Sequence, residues 1–277
     1  MTTIPTLELS DGNRIPAIGL GTYGLGDDAG AELVSGAIGA GYRLLDTALN
    51  YGNEAAVGDG MRRSGVPREE LFLTTKLPGR HHGYDETIAS FEESRASLGV
   101  DYVDLYLIHW PNPSVDRYVD SWRAFIELKE RGLVRSIGVS NFTPAHLTRL
   151  RDETGVLPVV NQVELHPTFA QADLRAFHAE HGIVTESWSP LGTREQLMQD
   201  PHVVAAAEAH GVTPTQAVLR WHVQSGALPI PRSTDPERQR QNLDVFGFEL
   251  TEEEVRAIGS GPQSRLWDGD PDTHEEM

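Results

Sequence analysis

The chain has 277 residues, a formal net charge of −18 and no cysteine. Disulfides, iron–sulfur clusters and thiol catalysis are excluded, and so large an excess of acid disfavours nucleic acid and anionic membranes as partners. The start, Met1-Thr2-Thr3-Ile4-Pro5, has no basic segment leading into an apolar run, and no stretch is long and apolar enough to cross a bilayer. A cytoplasmic protein is expected.

In chain order, Thr6-Leu7-Glu8-Leu9 and Arg14-Ile15-Pro16-Ala17-Ile18 flank the turn Ser10-Asp11-Gly12-Asn13, which predicts a short hairpin. Ile18-Gly19-Leu20-Gly21 reads as a first strand. Helical segments over 29–40, 53–64, 84–98, 119–131, 144–154 and 171–181 then alternate with apolar strands over 44–46, 71–76, 103–108, 134–139, 159–164 and 183–187. Helical stretches 201–210 and 214–225 precede a last strand at 227–230, and 236–243 and 251–258 follow it. Eight strands with helical crossovers predict an α/β fold, a (β/α)₈ TIM barrel with extra helices near the C-terminus. One domain spanning 1–277 is expected, with its active site at the C-terminal rim. Gly19, Gly21 and Gly24 have the G-x-G-x-x-G spacing but do not open a helix, the next helical segment being expected only from 29, so the Rossmann reading fails.

Three apolar runs stop at ionisable side chains. The run at 44–45 ends at Asp46, with Tyr51 in the loop beyond; Leu71–Thr75 ends at Lys76; Val103–Ile108 ends at His109. A lone charge at a strand end is costly to bury, so Asp46 and Lys76 are expected to pair. A lysine beside Tyr51 is expected to lower its pKa from about 10 toward the working pH, as a proton donor to a carbonyl requires. His109 is placed to bond the same carbonyl, and Asn53 reads as the N-cap of the helix after Tyr51.

Ser140 and Asn141 end one strand and Gln162 lies within the next, so their polar groups either face the barrel mouth or, for the first two, cap the helix starting near Pro144. Trp188 offers a flat apolar face at a strand end. Arg232-Ser233-Thr234, with Arg238 and Asn242, place two arginines beside a helix start, a phosphate-binding pattern. Arg80-His81-His82, His109 and His166 lack a ligand spacing with an accompanying carboxylate, and no metal is expected.

The segments GYRLLDTALNYGNEAAVG at 41–58, TTKL, LYLIHWP, GVSNF at 138–142, NQVELHP at 161–167, SWSPLG at 187–192 and IPRST at 230–234 resemble the signatures of the aldo-keto reductase superfamily, in its order and over nearly the whole chain. The likeness is greatest to bacterial members that reduce small aldehydes, ketones and keto-sugar acids such as 2,5-diketogluconate. It implies a hairpin closing the barrel bottom and a catalytic set of Asp46, Tyr51, Lys76 and His109, with Tyr51 the general acid. It implies NADPH, with Gly21, Thr22, Tyr23 and Asp46 beside it, Ser140, Asn141 and Gln162 on the nicotinamide carboxamide, and Trp188 stacked on the ring. Ser189, Leu191 and Gly192 line the pyrophosphate, and Arg232, Ser233, Thr234, Arg238, Gln241 and Asn242 hold the adenosine phosphate. The family usually has lysine at 232 and glutamate at 241. Arg232 keeps the charge and adds a planar fork suited to a 2′-phosphate, whereas Gln241 lacks the carboxylate.

By the same resemblance the substrate is a small carbonyl compound among Tyr23, Tyr51, Leu77, His109, Trp110 and Trp267, and the tail 264–277 folds back over the mouth. A monomer is expected. Two other activities are compatible with the family's barrel, a cofactor-sensing regulatory subunit and an aldolase-like lyase using a Schiff-base lysine.

Overall fold

In the computed structural model, which describes residues 4–267 and 269–276, the chain opens with the expected hairpin. Met1–Thr3, Asp268 and Met277, which belong to the N-terminal and tail segments read above, lie outside the described residues. Strands β1 (Thr6–Glu8) and β2 (Arg14–Pro16) pair antiparallel, and Gly12 turns the chain at φ 85°, where a side chain would be strained.

Eight parallel strands follow in strict chain order: β3 (Gly19–Gly21), β4 (Leu44–Asp46), β5 (Phe72–Leu77), β6 (Val103–Ile108), β7 (Val134–Ser140), β8 (Val160–Glu164), β9 (Val184–Trp188) and β10 (Ala227–Pro229). Each pairs with the next, and the Gly21 N–H donates to the Pro231 carbonyl at 3.1 Å, joining β3 to the chain beyond β10 and closing the ring. The helices are α1 (Asp27–Ala40), α2 (Glu54–Arg63), α3 (Tyr84–Leu98), α4 (Tyr118–Glu130), α5 (Pro144–Thr154), α6 (Ala172–Glu180), α7 (Arg194–Leu197), α8 (Pro201–His210), α9 (Pro214–Gln224), α10 (Pro236–Leu243) and α11 (Glu252–Ile258). The four-residue α7 was not foreseen. It is too short to show a periodicity.

The helix starts have local causes. Thr213 with Gln216, and Thr251 with Glu254, form capping boxes, and Pro144 and Pro214 occupy first-turn positions that need no donor. The α5 cap is Thr143 with His146, so the reading in which Ser140 and Asn141 cap that helix is set aside. Asn53 precedes α2 but makes no side-chain cap. Its amide donates instead to the Thr22 carbonyl (2.6 Å) and the Leu25 carbonyl (3.2 Å), and its Oδ1 accepts from Thr47 Oγ1 (2.9 Å).

Two apolar layers result from the strand pleat. Outward-facing Tyr106 stacks on Phe125 of α4 at 4.3 Å and meets Phe91 of α3 at 5.2 Å, part of a continuous barrel–helix core. Burying such a ring contributes about 2–3 kcal/mol. Inward-facing Leu44, Phe72, Leu105, Leu107, Val160 and Leu228 fill the barrel axis, and Leu9 and Ile15 from the hairpin pack against them. The hairpin thus plugs the N-terminal end, tied there by Asp11 to Lys129 (2.6 Å) and Ser136 (3.0 Å). The C-terminal ends of the strands remain open for chemistry.

Candidate active site

Asp46 and Lys76 end inward-facing positions of adjacent strands, and they meet. Lys76 Nζ lies 2.6 Å from Asp46 Oδ1, donates to the Thr47 carbonyl at 2.9 Å, and has no exposed side-chain surface. Desolvation acts to lower the Lys76 pKa, but the Asp46 carboxylate more than offsets it, so the ammonium is held charged. The pair repays its burial only because further hydrogen bonds satisfy it: Asp46 Oδ2 accepts from Gln162 Nε2 at 2.8 Å.

Tyr51 stands above this pair, its hydroxyl 3.4 Å from Lys76 Nζ. Its ring meets Tyr23 edge-on at 5.1 Å and His109 at 5.8 Å. The expected lowering of its pKa is not what the structure gives. Burial raises it, and the opposing pull of Lys76, itself countered by Asp46, is too weak to reverse that. Tyr51 therefore keeps its proton through the neutral range, as a donor must.

Gln162 Nε2 also donates to Glu186 Oε2 at 2.8 Å, so one amide bridges two carboxyl groups inside the barrel. Burial and then the Asp46 charge push the Glu186 pKa up to about 8. Sequence reading missed Glu186, although an acid in the inward register of Val184–Trp188 is itself a signal.

A cavity of about 530 Å³ opens over these groups, walled by Gly21, Thr22, Tyr23, Asp46, Tyr51, His109, Trp110, Asn141, Gln162, Trp188, Ser189, Leu191, Gly192, Arg232 and Trp267. Asn141, in the left-handed region at φ 63°, donates to the His109 carbonyl (3.0 Å) and accepts from Trp188 Nε1 (2.8 Å), which fixes the indole. Ser140 is fully buried behind Asn141, donating to the Gln162 carbonyl at 2.8 Å. Leu77 is not brought to the mouth. One residue after inward-facing Lys76, the pleat turns it outward, and it is buried in the barrel–helix core.

Through Leu191 and Arg232 this cavity meets a second, of about 420 Å³, walled also by Arg194, Ser233, Thr234, Arg238, Gln241 and Asn242. The start of α10 is already capped by Asp235, which accepts from the Glu237 and Arg238 N–H groups, so the anion-binding character here rests on arginine side chains. Arg232 and Arg194 make no side-chain hydrogen bond or ion pair among the described residues, although acids abound; Arg238 lies 3.6 Å from Asp235. Arg194 was missed because it sits on unforeseen α7. A larger cavity of about 910 Å³ lies at the barrel's other end, but its arginines are engaged, Arg135 with Asp104 and Arg240 with Glu237.

The tail closes the mouth from above. The Leu266 N–H donates to Glu164 Oε1 (2.6 Å), and Trp267 comes to 5.8 Å from Trp110. His274 lies over Trp110 at 4.3 Å, and Glu276 Oε1 is 2.7 Å from His109 Nδ1. No local pattern marked Glu276, because its partners are far away in sequence.

Residues 17–260 match the model of the aldo/keto reductase family. The chain belongs to that family. It is 59% identical, over the full length of both chains, to 2,5-diketo-D-gluconic acid reductase B of a Corynebacterium strain. Among solved structures it resembles the aldo/keto reductase of Brucella melitensis, with 50% identity, a TM-score of 0.90 and coverage of 93% of this chain and 99% of that one. It also resembles a Gox0644 mutant in complex with NADPH, with 46% identity, a TM-score of 0.93 and coverage of 99% and 100%. The reductase has, among its described residues, no helix long and apolar enough to cross a membrane and no cluster of three His, Asp or Glu side chains arranged for a metal.

Proposed function

We propose that this reductase uses NADPH to reduce a small carbonyl compound, an aldehyde, α-keto ester, diketone or keto-sugar acid, with Tyr51 as proton donor. The observation that carries the reading is the Tyr51 hydroxyl set 3.4 Å from a buried lysine that is itself held by Asp46. NADPH when bound supplies a hydride from nicotinamide C4 to the carbonyl carbon. The residues present suit it: Asn141 Oδ1 and Gln162 Oε1 can accept from a carboxamide, Trp188 offers a flat face, and Arg232, Arg194 and Arg238 offer charges for phosphate. The related structure with NADPH supports the same cofactor here.

Tyr51 gives its proton to the carbonyl oxygen. Lys76 stabilises the resulting phenolate, Asp46 keeps Lys76 in place, and His109 orients the carbonyl from the other side of the cavity. Oxidation of NADPH and of NADH against a panel of such carbonyls tests the activity. In Tyr51→Phe, turnover should fall by at least ~10²-fold, a typical contribution from a positioned acid, while NADPH affinity stays nearly constant. Retained turnover would refute the role of Tyr51.

A further inference from the structure

Glu276 is held at the mouth by contacts on all sides. Its backbone N–H donates to Asn112 Oδ1 at 3.1 Å, and its carbonyl accepts from Asn112 Nδ2 at 2.5 Å. Its carboxylate accepts from Asn50 Nδ2 at 2.6 Å and from the Gly79 N–H at 3.1 Å, and only 13% of its side chain is exposed. Asn112 is itself fully buried, and Gly79 leaves the tail room: a Cβ there would collide with the Asn112 amide and the Glu276 carbonyl.

This carboxylate is ionised. Desolvation acts against the charge, but His109, Asn50 and the Gly79 N–H together hold its pKa below the ordinary carboxylate range. Its Oε1 lies 2.7 Å from His109 Nδ1, so its charge reaches the carbonyl end of the cavity and stays uncancelled whenever that imidazole is neutral. Of the nearby cations, Lys76 is neutralised by Asp46, and Arg80, which bonds the neutral Asn50 Oδ1, is exposed, where water screens its charge. The rest of the substrate end is aromatic, formed by Tyr23, Trp110, Trp267 and His274.

We propose that Glu276 makes the closed mouth a charge filter, which admits uncharged carbonyl compounds and keto-sugar acids whose carboxylate is remote from the reacting carbonyl, and disfavours those with a carboxylate bonded directly to it. The proposal rests on the carbonyl-reductase reading above. A carbonyl held between Tyr51 and His109 brings a carboxylate one bond away to the same end of the cavity as Glu276. Two like unit charges about 5 Å apart, at an effective dielectric constant of about 20, change binding by more than ~10-fold.

The test compares ethyl pyruvate with pyruvate as substrates, and ethyl oxamate with oxamate as unreactive ligands read by tryptophan fluorescence, in the full-length protein. The wild type should favour each ester over its acid. In Glu276→Gln, which keeps an acceptor for Asn50 and Gly79, the ester-to-acid ratio should fall at least ~10-fold, mainly through a lower KM or Kd for the acid. Gly79→Ala, which displaces the tail tip without changing charge, should move the ratio the same way. Glu275→Gln, whose carboxylate caps the Ser114 N–H instead, should move it far less. Ratios equal in wild type and Glu276→Gln, by turnover and by binding, overturn the filter. Discrimination between the oxamates without turnover of either pyruvate overturns the reductase reading and leaves the filter standing.

Discussion

The two ends of the groove handle charge in opposite ways. Beneath the mouth, Lys76 and Asp46 are almost completely buried and neutralise each other, and the surplus carboxyl, Glu186, has its pKa pushed up to about 8. At the far end Arg232 and Arg194 are exposed and unpaired among the described residues, and Arg238 has a loose partner at 3.6 Å. Desolvation explains the difference. A dry site tolerates charges that cancel or that are fully hydrogen-bonded, whereas water supports surplus cations until an anion takes its place. The mouth is built to tune a proton, and the arginine end to receive charge.

The hardest break of this contrast is Lys76→Met, which leaves Asp46 buried without its partner. Denaturant unfolding should show a loss of about 3–5 kcal/mol, with turnover falling at least as far as in Tyr51→Phe. A variant as stable as the wild type would mean that the pair is not a desolvated unit. At the other end Arg238→Ala should hardly alter folding. It should weaken NADPH binding by about 1.5–3 kcal/mol, the range of a charged hydrogen bond, and leave NADH binding nearly unchanged; Arg232→Ala should act in the same direction. Equal losses for both cofactors would show that these arginines do not read the 2′-phosphate.

The smallest effect concerns Glu186. An unfolded glutamate loses its proton near pH 4.5, but the folded one keeps it to about pH 8. Between those values the folded state binds the extra proton, so this group's contribution to stability declines as pH rises and levels off above about 8. Glu186→Gln removes that slope. Its melting temperature relative to wild type should rise between about pH 5 and pH 9. Parallel melting profiles for the two proteins would count against a protonated Glu186.

What could be read from the sequence follows the range of the interaction. The bounds of α3 and α5 agree with the segments expected, because caps, prolines and apolar spacing act within a few residues. The strand-end acids and bases were legible too, since an ionisable group stopping an apolar run is a local anomaly. Four features were not. Asn53 looks like a cap, but spends its amide on carbonyls about thirty residues earlier. Leu77 reads as a neighbour of Lys76, yet the pleat sends it to the other face. The Tyr51 pKa depends on desolvation by the groups packed around it, which outweighs the one charge that proximity in the motif suggested. Glu276 lies 167 residues from the histidine it touches, and no motif spans that distance.

Asn53 has a mechanical consequence. Its buried side chain bonds to Thr22, Leu25 and Thr47, so the loops carrying Tyr23 and Tyr51 move as a single rigid piece. Separating them breaks the bonds from Asn53 to Thr22 and Leu25, both out of reach of water. Two ties of the tail, the Ala170 N–H to Gln263 and the Ser114 N–H to Glu275, lie instead at exposed positions where water can replace them. On the Asn53 side, the wall of the mouth is therefore fixed without any help from the tail.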